Sequence, residues 1–202
     1  MKKNITANCS RVRSYSKNCK RKHPIAKGRA LGAIVVRPRP GRQREGLLQA
    51  GGQVVRCALG RGGVRALKRE GDGGTPLCRM RLVAGFYRHG QLASLRSGLK
   101  LARIRPDDGW CDAPADPSYN RPVRLPFRAG HERMMREDRL YDCCIVLDYN
   151  LRPRRRFMGS AIFFHIAHAD FRPTEGCVAV SPQTMARLLP RLSPRTVLIV
   201  AR

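Results

Sequence analysis

A chain of 202 residues is long enough for one domain with a sizeable core. Its 41 Lys+Arg against 14 Asp+Glu give a net charge of +27, a balance that suits a polyanionic partner such as nucleic acid or an anionic envelope surface. No stretch approaches the roughly 18 apolar residues of a membrane helix, and the eight cysteines show neither the paired spacing of a disulfide framework nor that of a zinc ribbon.

Most lysines gather at the start (Lys2, Lys3, Lys17, Lys20, Lys22, Lys27), whereas the remainder, with Lys68 and Lys100, is basic almost entirely through arginine. That shift, with no apolar periodicity around it, predicts a basic, disordered tail over residues 1–30 and a folded domain over residues 31–202. The tail lacks the apolar segment of a secretory signal, which by itself predicts a cytoplasmic location. Residues 30–38 (ALGAIVVRP) and 51–60 (GGQVVRCALG) are β-branched runs bounded by Gly and Pro and read as strands, with a loop at residues 40–45 between them. Residues 61–76 (RGGVRALKREGDGGTP) are too rich in Gly and charge for a core element and read as a long loop.

Residues 78–88 (CRMRLVAGFYR) and 99–106 (LKLARIRP) alternate as strands do. Residues 107–126 (DDGWCDAPADPSYNRPVRLP) are full of turn formers and predict a large surface loop, with Trp110 and Tyr119 as a rim among Arg105, Arg121 and Arg124. Residues 140–150 (LYDCCIVLDYN) and 158–167 (MGSAIFFHIA) read as strands, the second apolar enough to be buried on both faces. Residues 176–181 (GCVAVS) form a short strand. Ser181 then caps a helix with Pro182 at its first position, Met185, Leu188 and Leu189 on its apolar face and Pro190 at its end. A last strand over residues 196–202 completes a mainly β fold with short helices and long loops.

His165 ends one apolar strand and Cys177 opens the next. A thiol becomes an effective nucleophile when an imidazole takes its proton, and Gly176 before it would allow an unusual backbone angle and close approach of a substrate. Amides at Gly176 and Cys177 could then hold an oxyanion. The same spacing equally describes a small buried thiol and a hydrogen-bonded strand-end histidine. Other pairings are weaker. His165, His168 and Cys177 fall short of the four ligands of a closed zinc site, and Cys143 and Cys144, adjacent on a strand, point to opposite faces. Asp142 and Asp148 at strand ends suit structural roles. The arginine-rich surface with Trp110 and Tyr119 offers a non-enzymatic alternative, a nucleic-acid-binding protein.

The motif AIFFHIA with His165, followed by TEGCVAV with Thr174, Gly176 and Cys177, resembles the YkuD-type L,D-transpeptidase family, and in particular a compact bacterial subgroup. GDGGTPLCRMRL, with Thr75, Pro76 and the preceding Lys68, and LYDCCIVLDYN resemble further family elements in the right order. The resemblance covers residues 31–202 and implies a YkuD-like β-sandwich or barrel-like fold. It also implies a peptidoglycan L,D-transpeptidase that attacks stem tetrapeptides through a thioester, in cell-wall biogenesis. Cys177 would be the nucleophile, His165 its base, and Gly176 and Cys177 the oxyanion amides, with Thr174, Thr75, Lys68, Arg121 and Arg172 toward the substrate. No metal or cofactor is implied. Water in place of an acceptor amine would make the same site an L,D-carboxypeptidase on muropeptides. Three departures stand out: Ala179 occupies the place of a family arginine, the loop from His165 to Cys177 is shorter than in many members, and family members work at the periplasmic or envelope side of the membrane although no export signal is read here.

Overall fold

The protein is described by a computed structural model over residues 30–92 and 96–202. The tail expected over residues 1–30 lies, but for Ala30, outside the described residues. In β1 (Ala33–Arg39), Ile34 and Val36 are buried while Arg37 and Arg39 are exposed, the period of two of a strand with one wet face. β2 (Arg42–Ala50) follows directly through a turn in which Gly41 has φ +73°, an angle that glycine adopts without strain. The loop expected at residues 40–45 is therefore mostly strand. Its Arg42, Gln43 and Arg44 are polar because they face solvent, and Glu45 ties the ends of the sheet together by ion pairs to Arg39, Arg42 and Arg56 at 3.0–3.2 Å.

β3 (Gln53–Ala58) completes a meander with β1 and β2. The remaining large-sheet strands are β6 (Arg79–Tyr87), β7 (Leu101–Arg103), β11 (Cys143–Leu147), β12 (Phe163–Ile166), β13 (Val178–Val180) and β14 (Val197–Val200). They run in the order β11-β12-β13-β3-β2-β1-β14-β6-β7, and β11 also pairs with β6, which closes the sheet into a barrel. Closure removes free strand edges. Ile34, Leu48, Leu82, Ile145, Phe164 and Val180 belong to the core that fills it, each side chain contributing about 1.5–3 kcal/mol by leaving water. The helix α1 (Pro182–Leu188) forms where Ser181 and Pro182 predict it: Ser181 Oγ accepts the Thr184 N–H at 3.2 Å, and Met185 and Leu188 join the barrel core. Pro190 does not stop the chain; Leu189–Arg191 adds a 3-10 turn.

The large surface loop expected at residues 107–126 proves to be a second layer. β8 (Asp108–Cys111) and β9 (Arg121–Arg124) pair with β10 (His131–Arg133) in a three-stranded sheet of order β10-β8-β9. Trp110 and Tyr119, expected at a rim, are 4% and 1% exposed. Strands this short show no measurable alternation, so their turn formers dominate the sequence pattern. Residues 61–76 are loop as expected except for β4 (Val64–Arg65), which pairs with β5 (Thr75–Pro76).

The second layer has one consequence for function. It covers the outer face of β11 and β12, so both faces of these strands are buried. Ile145 and Phe164 point into the barrel, while Cys144, Val146 and Phe163 enter a second core with Trp110, Met134 and Tyr141. His165 shares the outer face with Phe163, and its cross-strand partner is Cys144.

Candidate active site

β12 and β13 are parallel neighbours, with His165 opposite Ala179. Cys177 lies two residues before Ala179 and so falls on the face that carries His165. Both side chains line one cleft of about 330 Å³ between the barrel wall and the small sheet, together with Lys68, Tyr141, Arg172 and Thr174. The sequence-predicted pair is thus brought together. Thr75 and Arg121 are not part of this lining.

Local backbone geometry aims the thiol. Cys177 Sγ donates to the Ala161 carbonyl at 3.2 Å and receives the Phe163 N–H at 3.3 Å. Ala161 has φ +50°, a left-handed conformation that costs an alanine about 1–2 kcal/mol and needs outside support. Asn120 provides it. Its Oδ1 accepts the Ala161 N–H at 3.1 Å and the Trp110 Nε1–H at 3.0 Å, and its amide donates to the Tyr149 and Asn150 carbonyls. In the sequence Asn120 looks like one more turn former; only its 2% exposure and left-handed φ of +53° separate it from the others.

The imidazole is oriented by main chain. His165 Nδ1–H donates to the Ile166 carbonyl at 2.8 Å, which assigns the tautomer and leaves the Nε2 lone pair as the basic site. The Tyr141 ring meets it edge-on at 5.2 Å. Burial lowers the His165 pKa to about 4, and burial, followed by the charge of Glu132, raises the Cys177 thiol to about 12. Neither group is ionised near neutral pH. The cleft therefore holds a neutral thiol and a neutral imidazole, in contrast to the imidazole-favoured thiolate expected from sequence.

The loop before Cys177 is held by close glycine packing. Gly176 has φ +134°, and a Cβ there would lie 2.7 Å from the Gly74 carbonyl oxygen. Thr174 Oγ1 donates to the Cys177 carbonyl at 2.7 Å and accepts the Gly176 N–H at 3.2 Å, while its own backbone bonds Leu59 and Arg61. Thr75 is fully buried and accepts the Gly60 N–H at 2.8 Å, so it supports this stack from beneath rather than facing a ligand. Lys68, 3% exposed, gives its ammonium to Asp72 and to the Arg69 carbonyl, both at 2.6 Å. Arg172 reaches His168 Nδ1 at 2.9 Å on the cleft rim, whereas Arg121 sits exposed in β9. Sequence reasoning missed Glu70, Asp112, Glu132 and Arg136, all in the cleft wall. They come from separate loops and a three-residue strand, with no spacing to join them.

His165, His168 and Cys177 do not assemble as a metal-binding group among the described residues, and none of the described helices is long and apolar enough to cross a membrane. The closed β wall defines a mainly β protein in which a thiol and an imidazole face one cleft. The sequence model of the YkuD family, the L,D-transpeptidase catalytic domain, matches residues 33–200, and the chain belongs to that family. Family members act on peptidoglycan peptides, with the cell envelope as their precedent. No curated protein and no solved structure gives a match.

Proposed function

We propose that this protein is a cysteine-dependent L,D-transpeptidase that acts on peptidoglycan stem tetrapeptides in cell-wall biogenesis. The observation that carries the reading is the placement of Cys177 and of the free Nε2 of His165 on one face of the barrel wall, in one cleft. Because both groups rest neutral, proton transfer accompanies attack. As Sγ bonds the carbonyl carbon between the third residue and the terminal D-Ala, its proton passes to His165 Nε2. Gly176 N–H is committed to Thr174, so the Cys177 N–H takes the developing oxyanion.

Collapse breaks the C–N bond, the departing D-Ala amine takes the proton from His165, and a thioester remains. An acceptor amine then gives a cross-link, and water gives a tripeptide. Incubation of the protein and of Cys177→Ala with a disaccharide tetrapeptide, followed by mass spectrometry of intact protein and products, tests this. The expected result is an adduct lacking D-Ala on the unsubstituted protein only. Folded protein with neither adduct nor turnover would sink the assignment.

A further inference from the structure

We propose that Glu132 is the acceptor-side residue of the cleft: its carboxylate holds the ammonium of the incoming amine beside the thioester and takes the proton the amine must lose before attack. The inference rests on the transpeptidase reading above, and it names what selects an amine over water.

Glu132 is carried by β10, opposite Trp110 of β8, and lines the same cleft as Cys177 and His165. Its Oε2 accepts the Tyr141 hydroxyl at 2.5 Å, and the Tyr141 ring packs edge-on against both His165 and Phe163 at 5.2 and 5.6 Å. The carboxylate is therefore fixed relative to the reacting pair. It has no ion-pair partner among the described residues. Arg136 lies over the Tyr141 ring at 5.0 Å and pairs with Asp138 at 2.5 Å; its charge favours the Glu132 carboxylate at a distance, without a direct ion pair.

Two further observations fit an ammonium better than water. Glu132 is close enough to the nucleophile for its charge to disfavour the Cys177 thiolate, and burial holds its own proton affinity above that of an ordinary carboxylate. A cation entering the cleft would relieve the first effect, and a proton released there would meet a suitable acceptor. Glu70 and Asp112 stand in the same wall, which also carries Lys68, Arg136 and Arg172. Glu70 is already occupied by the Tyr119 hydroxyl and by Ser160 at 2.9 Å.

The step balances. The ammonium gives one proton to Glu132 and becomes a free amine, whose lone pair attacks the thioester carbonyl. A C–N bond forms and the C–S bond breaks; the second amine proton passes through His165 Nε2 to Cys177 Sγ and restores the thiol. Glu132 returns its proton to solvent.

Single-turnover mass spectrometry with disaccharide tetrapeptide as both donor and acceptor reads acylation and the dimer-to-tripeptide ratio separately. For Glu132→Gln the expected result is acylation as fast as, or a few-fold faster than, the unsubstituted protein, because a negative charge beside the thiol is gone. The dimer-to-tripeptide ratio should fall at least tenfold, with partial recovery in Glu132→Asp. Tyr141→Phe keeps the ring on His165 but removes a hydrogen bond that stabilises the carboxylate. It should raise the pH below which dimer formation is lost. An unchanged ratio in Glu132→Gln, an equal fall of acylation and ratio, or an unmoved pH profile in Tyr141→Phe overturns the inference. So does an unsubstituted protein that acylates but yields tripeptide alone, which leaves the thioester reading standing. Absence of any adduct on the unsubstituted protein overturns both.

Discussion

The inner and outer faces of the barrel wall present the same chemical group in two settings. Cys143 belongs to the barrel core and Cys177 to the core beneath the small sheet. Burial pushes both thiols up to about 12, and each feels one nearby carboxylate, Asp142 for the first and Glu132 for the second. Titration does not tell them apart. What differs is the surroundings: Cys177 shares a cleft with an imidazole whose Nε2 is free, whereas Cys143 is enclosed by apolar side chains. In this fold a candidate nucleophile is defined by what it can hand its proton to during reaction, not by a thiolate stored beforehand.

The largest effect that tests this contrast is Cys177→Ala, expected to lower peptide turnover at least about 10³-fold. Cys143→Ala should leave turnover within about threefold and cost about 1–2 kcal/mol of stability through a small cavity. Equal losses of turnover would break the comparison. Phe164→Ala probes the inner face harder. Its ring is wholly buried in the barrel, and its removal should cost about 3–5 kcal/mol in urea unfolding, with turnover per folded molecule largely kept.

Much of this division was legible in the sequence. The run AIFFHIA, apolar at every position around His165, could be read as a strand buried on both faces, and the glycine before Cys177 as a backbone exception. What covers the outer face could not be read. β8, β9 and β10 are three or four residues each, too short for periodicity, and Trp110 and Tyr119 sit in a composition that ordinarily marks surface loop. Asn120 and Glu132 were hidden for a related reason: their roles come from contacts between segments far apart in the chain, which residue spacing does not encode. Thr75 is a ligand-facing candidate by motif alone, and its full burial beneath Gly60 makes it a structural residue.

Gly176→Ala sharpens the outer side. The added methyl would meet the Gly74 carbonyl oxygen at 2.7 Å, from a backbone angle of +134° that alanine resists. The loop must move, and a shift of about 1 Å at a nucleophile costs roughly 100-fold in rate. Thermal unfolding of the variant, measured beside its turnover, separates displacement of Cys177 from collapse of the fold. Loss of turnover with a lowered melting midpoint but a cooperative transition is expected, since Gly176 is buried and the added methyl would also meet the core residue Ile162 at 3.3 Å.

A further effect concerns acid. Burial lowers the His165 pKa to about 4 in the folded protein, against the ordinary imidazole value of 6.5 in the unfolded chain. A histidine depressed in this way adds stability that is fully present above pH 6.5 and is lost as pH falls toward 4, because the unfolded state takes up the proton first. Over that window the loss should amount to on the order of 2–3 kcal/mol. His165→Gln has no such proton to gain, so its unfolding free energy should fall less over the same interval. Urea unfolding at pH 7, 5.5 and 4.5 for both proteins measures the difference. Cys143→Ala should retain the full acid slope, because Cys143 stays protonated throughout this range. Parallel pH profiles for the unsubstituted protein and His165→Gln would mean that the imidazole is solvated rather than buried, and the neutral thiol–imidazole ground state would no longer hold.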